Sequence, residues 1–169
     1  MAEAKQDAIA LLKADHREVE DLFEQFEKAS GAGKKQKLAH QICMELTIHA
    51  KIEEEIFYPA CEGKIEEDLL EEAYVEHDGA KVLIAEIEAG APSDEFYDAK
   101  VTVLSEQIEH HIKEEEKRME GMFSQARKAG LDMDALGDQL RSRKEELKAE
   151  YKASGLPRPE LTTLSETEV

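Results

Sequence analysis

A histidine followed four residues later by a glutamate stands twice in this chain on the apolar stripe of a helical segment. His49 and Glu53 lie in Ile48-His49-Ala50-Lys51-Ile52-Glu53-Glu54-Glu55-Ile56-Phe57, and His111 and Glu115 lie in the altered copy His110-His111-Ile112-Lys113-Glu114-Glu115-Glu116-Lys117-Arg118-Met119. Residues four apart share a helix face, so each copy turns one nitrogen and one oxygen ligand the same way. An ionised carboxylate buried without a partner is costly. A fold that turns both faces inward therefore calls for a shared cation.

Hydrophobic spacing supplies such a fold. Ile9, Leu12, His16, Val19, Phe23 and Phe26 predict a first helix over Ala2 to Ala29, ended by Ser30-Gly31-Ala32-Gly33. The second, from Lys34 to Tyr58, has the seam Ile42, Leu46, His49, Glu53 and Ile56, and Pro59 bars its simple continuation. The third, Ile65 to Ala89, has Leu70, Ala73, His77, Ala80, Ile84 and Ile87, and Gly90-Ala91-Pro92 breaks it. Ser93 is the predicted N-cap of a long fourth helix, with Asp94 and Glu95 against its positive end. Its seam of Tyr97, Val101, Leu104, Ile108, His111, Glu115 and Met122 runs on toward a stop at Gly130.

A fifth, more polar helix, capped by Asp132, reaches Lys152 on a thin stripe of Leu136, Leu140 and Leu147, and the rest reads as an extended or disordered tail. The expected organisation is an all-α, up-down-up-down four-helix bundle over residues 1–129, an additional helix over 130–152 and a tail over 153–169. Long helices also suit a chain that is 37% charged, without Trp, and with only nine Gly and four Pro.

Each of the first four helices carries one seam histidine near its middle: His16, His49, His77 and His111. In an antiparallel bundle those midpoints share one layer, so the four imidazoles converge. Glu53 and Glu115 sit on the second and fourth helices, which run parallel across the bundle diagonal, and both are displaced the same way from their histidines. Two ions about 3.5 to 4 Å apart would be bridged by such a pair. The six predicted ligands are thus His16, His49, Glu53, His77, His111 and Glu115. His40 lies off its seam. His111 rather than His110 continues the row of Leu104 and Ile108, so His111 with Glu115 is the expected inward pair.

A net charge of −18 leaves no basic patch for nucleic acid or an anionic membrane. The sequence has no apolar run of about 18 residues and only two cysteines, Cys43 and Cys61, at no metal-ligand spacing, so a cytoplasmic, reduced setting is expected. No Glu-x-x-His occurs, unlike the ferritin-type ferroxidases.

From His16 to Glu115, and most specifically in His49-x-x-x-Glu53-Glu54 and His111-x-x-x-Glu115-Glu116, the chain resembles the hemerythrin-like HHE cation-binding domain family. The resemblance implies two non-haem irons bridged by carboxylates and an oxygen species, oxo or hydroxo. The four histidines would be terminal ligands, and Glu53 and Glu115 bridges. It further implies dioxygen or peroxide as the small-molecule ligand.

Oxygen-carrying members have a second histidine one turn after that of the third helix, where this chain has Lys81, and an aspartate five residues after the fourth-helix histidine, where the carboxylate here is Glu115 at four. The chain is therefore more similar to HHE proteins of iron handling, oxygen sensing or peroxide chemistry. The position left by Lys81 is open to water, substrate or a tyrosine, with Tyr74 nearer than Tyr97. Three roles stay open: peroxide-consuming (catalase-like) or oxygen-reducing activity, reversible binding, and a non-enzymatic iron or oxygen sensor or metal store acting through a protein partner. No side chain is singled out as catalytic.

Overall fold

In the computed structural model, which describes residues 5–165, the carboxylate of Asp7 accepts the Ala10 N–H at 2.8 Å and starts α1 (Ala8–Lys28). The helix expected to begin at Ala2 therefore begins six residues later, and positions 2–4 lie outside the described residues. Gly31, at φ 97°, turns the chain into α2 (Ala32–Ile52). That positive φ is easily met only without a Cβ.

The second helix does not stop before Pro59. It passes into a π-helical turn, Glu53–Phe57, and then into α3 (Tyr58–Cys61), which contains the proline. Proline has no N–H to donate, and its ring collides with the carbonyl four residues back in a regular helix. The wider turn just ahead of it gives the chain another way to continue.

After Gly63, α4 (Glu67–Ala89) and α5 (Tyr97–Glu116) form the second helical hairpin. Ser93 does not cap α5. The Asp94 carboxylate instead accepts the Ala91 N–H at 2.7 Å, closing a turn that holds the helix start back to Tyr97.

The long fourth helix is also interrupted, between Lys117 and Gly121, before α6 (Met122–Lys128). The stripe explains the break: the next seam positions after Glu115 are Arg118 and Met119, and Met119 is 66% exposed at φ 72°. Gly121 folds so closely onto the Lys117 carbonyl that a Cβ would collide with it. Met122, Phe123 and Ala126 then return to the apolar core. Asp132 caps α7 (Met133–Ser154) by accepting the Ala135 N–H at 3.0 Å.

Helices α1, α2, α4 and α5 make the up-down-up-down bundle, with α1 beside α2 and α5, and α4 beside α2 and α5. The additional helix α7 lies along α1 and α2. Two apolar clusters fill the interior. One joins Leu12, Ile52, Phe57 and Phe123 to Leu140 and Leu147 of α7, and the other joins Val19, Phe23, Ile42, Ile84 and Leu104. Between them lies a layer of buried polar side chains.

The close approach of α7 to the start of α1 depends on Gly137. A Cβ there would stand 2.9 Å from backbone atoms of Gln6, Asp7 and Ala8. Gly137→Ala should cost about 1–3 kcal/mol, the usual penalty for overpacking a tight contact. A lowered urea midpoint with unchanged helical circular dichroism is the expected reading.

Candidate metal centre

The buried polar layer consists of His16 on α1, His49 on α2, Glu53 at the start of the π turn, His77 on α4, and His111 and Glu115 on α5. All six side chains singled out in the sequence meet there. The phase of the fourth seam is resolved by exposure: the His111 side chain is 6% exposed and that of His110 is 67%. His40 lies on the surface against Glu88.

The imidazoles face each other in pairs through Nε2, His16 to His49 at 3.2 Å and His77 to His111 at 3.1 Å. Each inner carboxylate stands between the pairs. Glu53 Oε1 lies 3.0 Å from His49 Nε2 and 3.3 Å from His77 Nε2, and Glu115 Oε1 lies 3.3 Å from both His16 and His111 Nε2. Two donor sets result, His16, His49 and Glu115 in one and Glu53, His77 and His111 in the other, with ligand atoms in each set within 4.8 Å of one another.

Outside this layer each Nδ1 meets a further carboxylate: His16 with Glu116 at 2.6 Å, His49 with Asp15 at 2.9 Å, His77 with Glu54 at 3.2 Å, and His111 with Glu76 at 3.1 Å. A carboxylate on Nδ1–H fixes the tautomer and leaves the Nε2 lone pair directed inward, the arrangement found around metal-bound histidines. Three of these outer carboxylates are themselves held by cations, Glu116 by Arg17, Asp15 by Lys144 and Glu54 by Lys81.

The electrostatics favour a cation. Burial works against a charged His111, yet Glu115, Glu76 and Glu53 push its pKa up to about 10, and His49 is likewise raised well above the usual imidazole value against burial by Glu53 and Asp15. Burial raises the Glu115 pKa, but His111 and His16 outweigh it and hold the carboxyl well below its usual range. Among the described residues Glu53 Oε2 is buried with no hydrogen-bond donor, and Glu115 Oε1, also buried, faces only the Nε2 atoms of His16 and His111 at 3.3 Å, outside hydrogen-bond geometry. Inward nitrogen lone pairs and orphaned carboxylate oxygens between them fit divalent or trivalent metal ions.

The profile described as the Hemerythrin HHE cation binding domain matches residues 7–123. The chain belongs to this family. A Nostoc sp. protein named a DNA nickase is 30% identical to it over 109 residues, which are 64% of this chain and 31% of that protein. The chain thus spans under a third of that relative's length. The crystal structure of a hemerythrin HHE cation binding domain-containing protein from Mycobacterium kansasii superposes with a TM-score of 0.74 at 21% identity, over 89% of this chain and 95% of that one, a likeness of fold.

This HHE domain contains one inward group that helical spacing did not reveal. The Tyr58 hydroxyl lies 2.9 Å from Glu115 Oε2, 3.3 Å from Glu53 Oε1, 3.1 Å from His77 Nε2 and 3.2 Å from His111 Nε2. Five residues separate it from Glu53, which in a regular α-helix would turn it well away from the ligand face. The π turn, closed by the Tyr58 N–H on the Glu53 carbonyl, brings both to one side. Burial first, then Glu115 and Glu53, raise its pKa well above the usual phenol value, so it stays a neutral O–H.

Neither of the tyrosines weighed, beside water and substrate, for the position left by Lys81 faces the donor sets. Tyr74 packs edge-on against Tyr58 with ring centroids 5.2 Å apart, and Tyr97 is buried beside Phe26. Lys81 itself donates to Glu54, Asp78 and the Glu160 carbonyl.

The four outer carboxylates and Asp78 were also not identified by sequence reasoning. For the outer four a signal was present, since each is the chain neighbour of an inner ligand. Asp78 follows His77, is fully buried, and accepts the N–H groups of Thr162, Thr163 and Leu164 and the Thr163 hydroxyl. The Thr162 hydroxyl donates to Glu54, the carboxylate on His77 Nδ1. The described part of the tail is therefore strapped over the metal layer.

Burial raises the Asp78 pKa, but those donors overcome it and hold the carboxyl well below its ordinary value. A depressed carboxyl contributes stability above its unfolded pKa of about 3.9 and loses it as pH falls further toward the folded value. The Thr162, Thr163 and Leu164 amide resonances should accordingly hold their positions from pH 8 to 5 and move toward random-coil values only below about pH 4. Asp78→Ala should show the released positions already at pH 7.

Proposed function

We propose that this chain is a non-haem di-iron protein that binds or reduces dioxygen or peroxide, with one ion in each donor set and Glu53 and Glu115 as bridges. The observation that carries the proposal is the placement of both inner carboxylates between the two histidine pairs, each with an oxygen lacking a donor. A bridge needs an oxygen for each ion, and a carboxylate between two imidazole pairs supplies them. Iron would provide the electrons that dioxygen or peroxide accepts.

The protein's own share is positioning, proton supply and exclusion of water. The outer carboxylates hold each imidazole in its ligating tautomer, and the two apolar clusters close the layer to water from above and below, leaving its approach on the side between α2 and α4. Tyr58, a neutral donor that meets His77 and His111 of one donor set and Glu115 of the other, would hold a hydrogen bond to an oxygen ligand there. The net charge of −18 weighs against carrying the nucleic-acid activity named for the Nostoc relative over to this chain. A cytoplasmic setting suits the two free, buried cysteines.

Anaerobic loading with ferrous iron should give about two ions per chain, and oxygen or peroxide should then add new optical absorption. Below about one ion per chain with no new absorption, the di-iron assignment fails. His111→Ala should lose at least one ion per chain while His110→Ala retains both. Equal retention would refute the ligand assignment.

A second reading, a sensor acting through a partner, draws on one observation: the tail is fastened to Asp78 and Glu54, which flank and support His77. On that reading iron loading changes protease cleavage beyond Gly130, whereas cleavage identical in the loaded and metal-free protein argues for chemistry alone.

A further inference from the structure

A chamber of about 910 Å³ opens between α2 and α4 and reaches all four imidazoles at its inner end. Its walls include Val19, Leu46, Ala80, Ile84, Ile108 and Ile112, and residues Leu156–Thr162 of the strap form its outer side. Dioxygen and hydrogen peroxide are little larger than water, and the chamber has the volume of roughly thirty waters in the liquid. Pockets of about 300–1,000 Å³ with mainly apolar walls and a few convergent polar groups are those that take small organic molecules.

Charge narrows the class of molecule. Glu45, Glu54, Glu55 and Glu88 line the chamber, and the Glu45 carboxyl is raised in pKa by burial first and then by Glu18, the sign of a site that disfavours further negative charge. Among the described residues three cations also line the chamber, against six carboxylates: Lys81 has its three N–H groups committed to Glu54, Asp78 and the Glu160 carbonyl, Lys51 stands 3.8 Å from Glu55, and Arg158 belongs to the exposed outer strap.

We infer that this chamber binds an uncharged organic hydroperoxide or the corresponding alcohol, with its apolar body along Val19, Ile84 and Ile108 and its oxygen-bearing end at the imidazoles. The inference deepens the di-iron reading, on which it relies for the reactivity of the inner end. Binding itself can be read without metal.

Titration of the full-length, metal-free chain with N-phenyl-1-naphthylamine, a neutral apolar fluorophore, should reveal one saturable site from which 1-decanol displaces it. Decanoate, equal in length but charged, should compete at least about tenfold more weakly, a difference of about 1.4 kcal/mol. Ala85→Trp, on a partly exposed part of the wall, and Ile84→Trp, deeper in it, should each weaken binding about tenfold or more while the helical circular dichroism persists.

Unchanged binding in Ala85→Trp, or decanoate competing as well as decanol, overturns the inference. Iron counting on the same preparations separates the two readings. Lost probe binding with two ions retained refutes only the chamber, and probe binding without metal uptake refutes only the di-iron centre.

Discussion

Four hydrogen bonds between imidazole Nδ1 atoms and carboxylates tie the bundle together around its centre. Asp15 of α1 holds His49 of α2; Glu54, following α2, holds His77 of α4; Glu76 of α4 holds His111 of α5; and Glu116 of α5 holds His16 of α1. The circuit closes. Each helix presents one imidazole and receives another from its neighbour, so no helix can rotate or slide without breaking two contacts. A polar layer placed between two apolar clusters would otherwise be the weak level of such a bundle. The circuit makes it the level at which helix register is most tightly defined.

The same circuit divides the electrostatic work. Outer carboxylates meet Nδ1 and, in three cases, a surface cation beyond, while Glu53 and Glu115 remain inside with oxygens that nothing donates to. That negative charge is what raises the His49 and His111 pKa values against burial. A metal ion held in the layer would meet that same negative charge. The family's cation-binding role is thus written in the charge of the layer as well as in its geometry.

What sequence alone disclosed follows from which signals are periodic. Spacing of three and four placed His16, His49, His77 and His111 on facing seams, and phase separated His111 from His110, because those residues lie in regular α-helix. Tyr58 escaped because a π turn shifts the phase by one residue, and the only trace of that turn is a proline two positions beyond it. The fourth helix was drawn too long although Arg118, at a seam position, already marked its end. The outer carboxylates stood in plain view beside the ligands, Glu54 and Glu116 next to the inner glutamates and Asp15 and Glu76 next to His16 and His77. Only the relative rotation of neighbouring helices shows which of them turn sideways to the next imidazole.

The strap carries a consequence for the order in which the centre is assembled. All six inner ligands and all four outer carboxylates precede residue 117, whereas the groups that close over Asp78 arrive some 45 residues later, at Thr162 to Leu164. During synthesis the bundle can form its polar layer while the side between α2 and α4 is still uncovered. Once fastened, the strap lies across the chamber that leads from that side to the imidazoles, so the centre can be uncovered on that side by a local release of the strap, without an opening of the bundle.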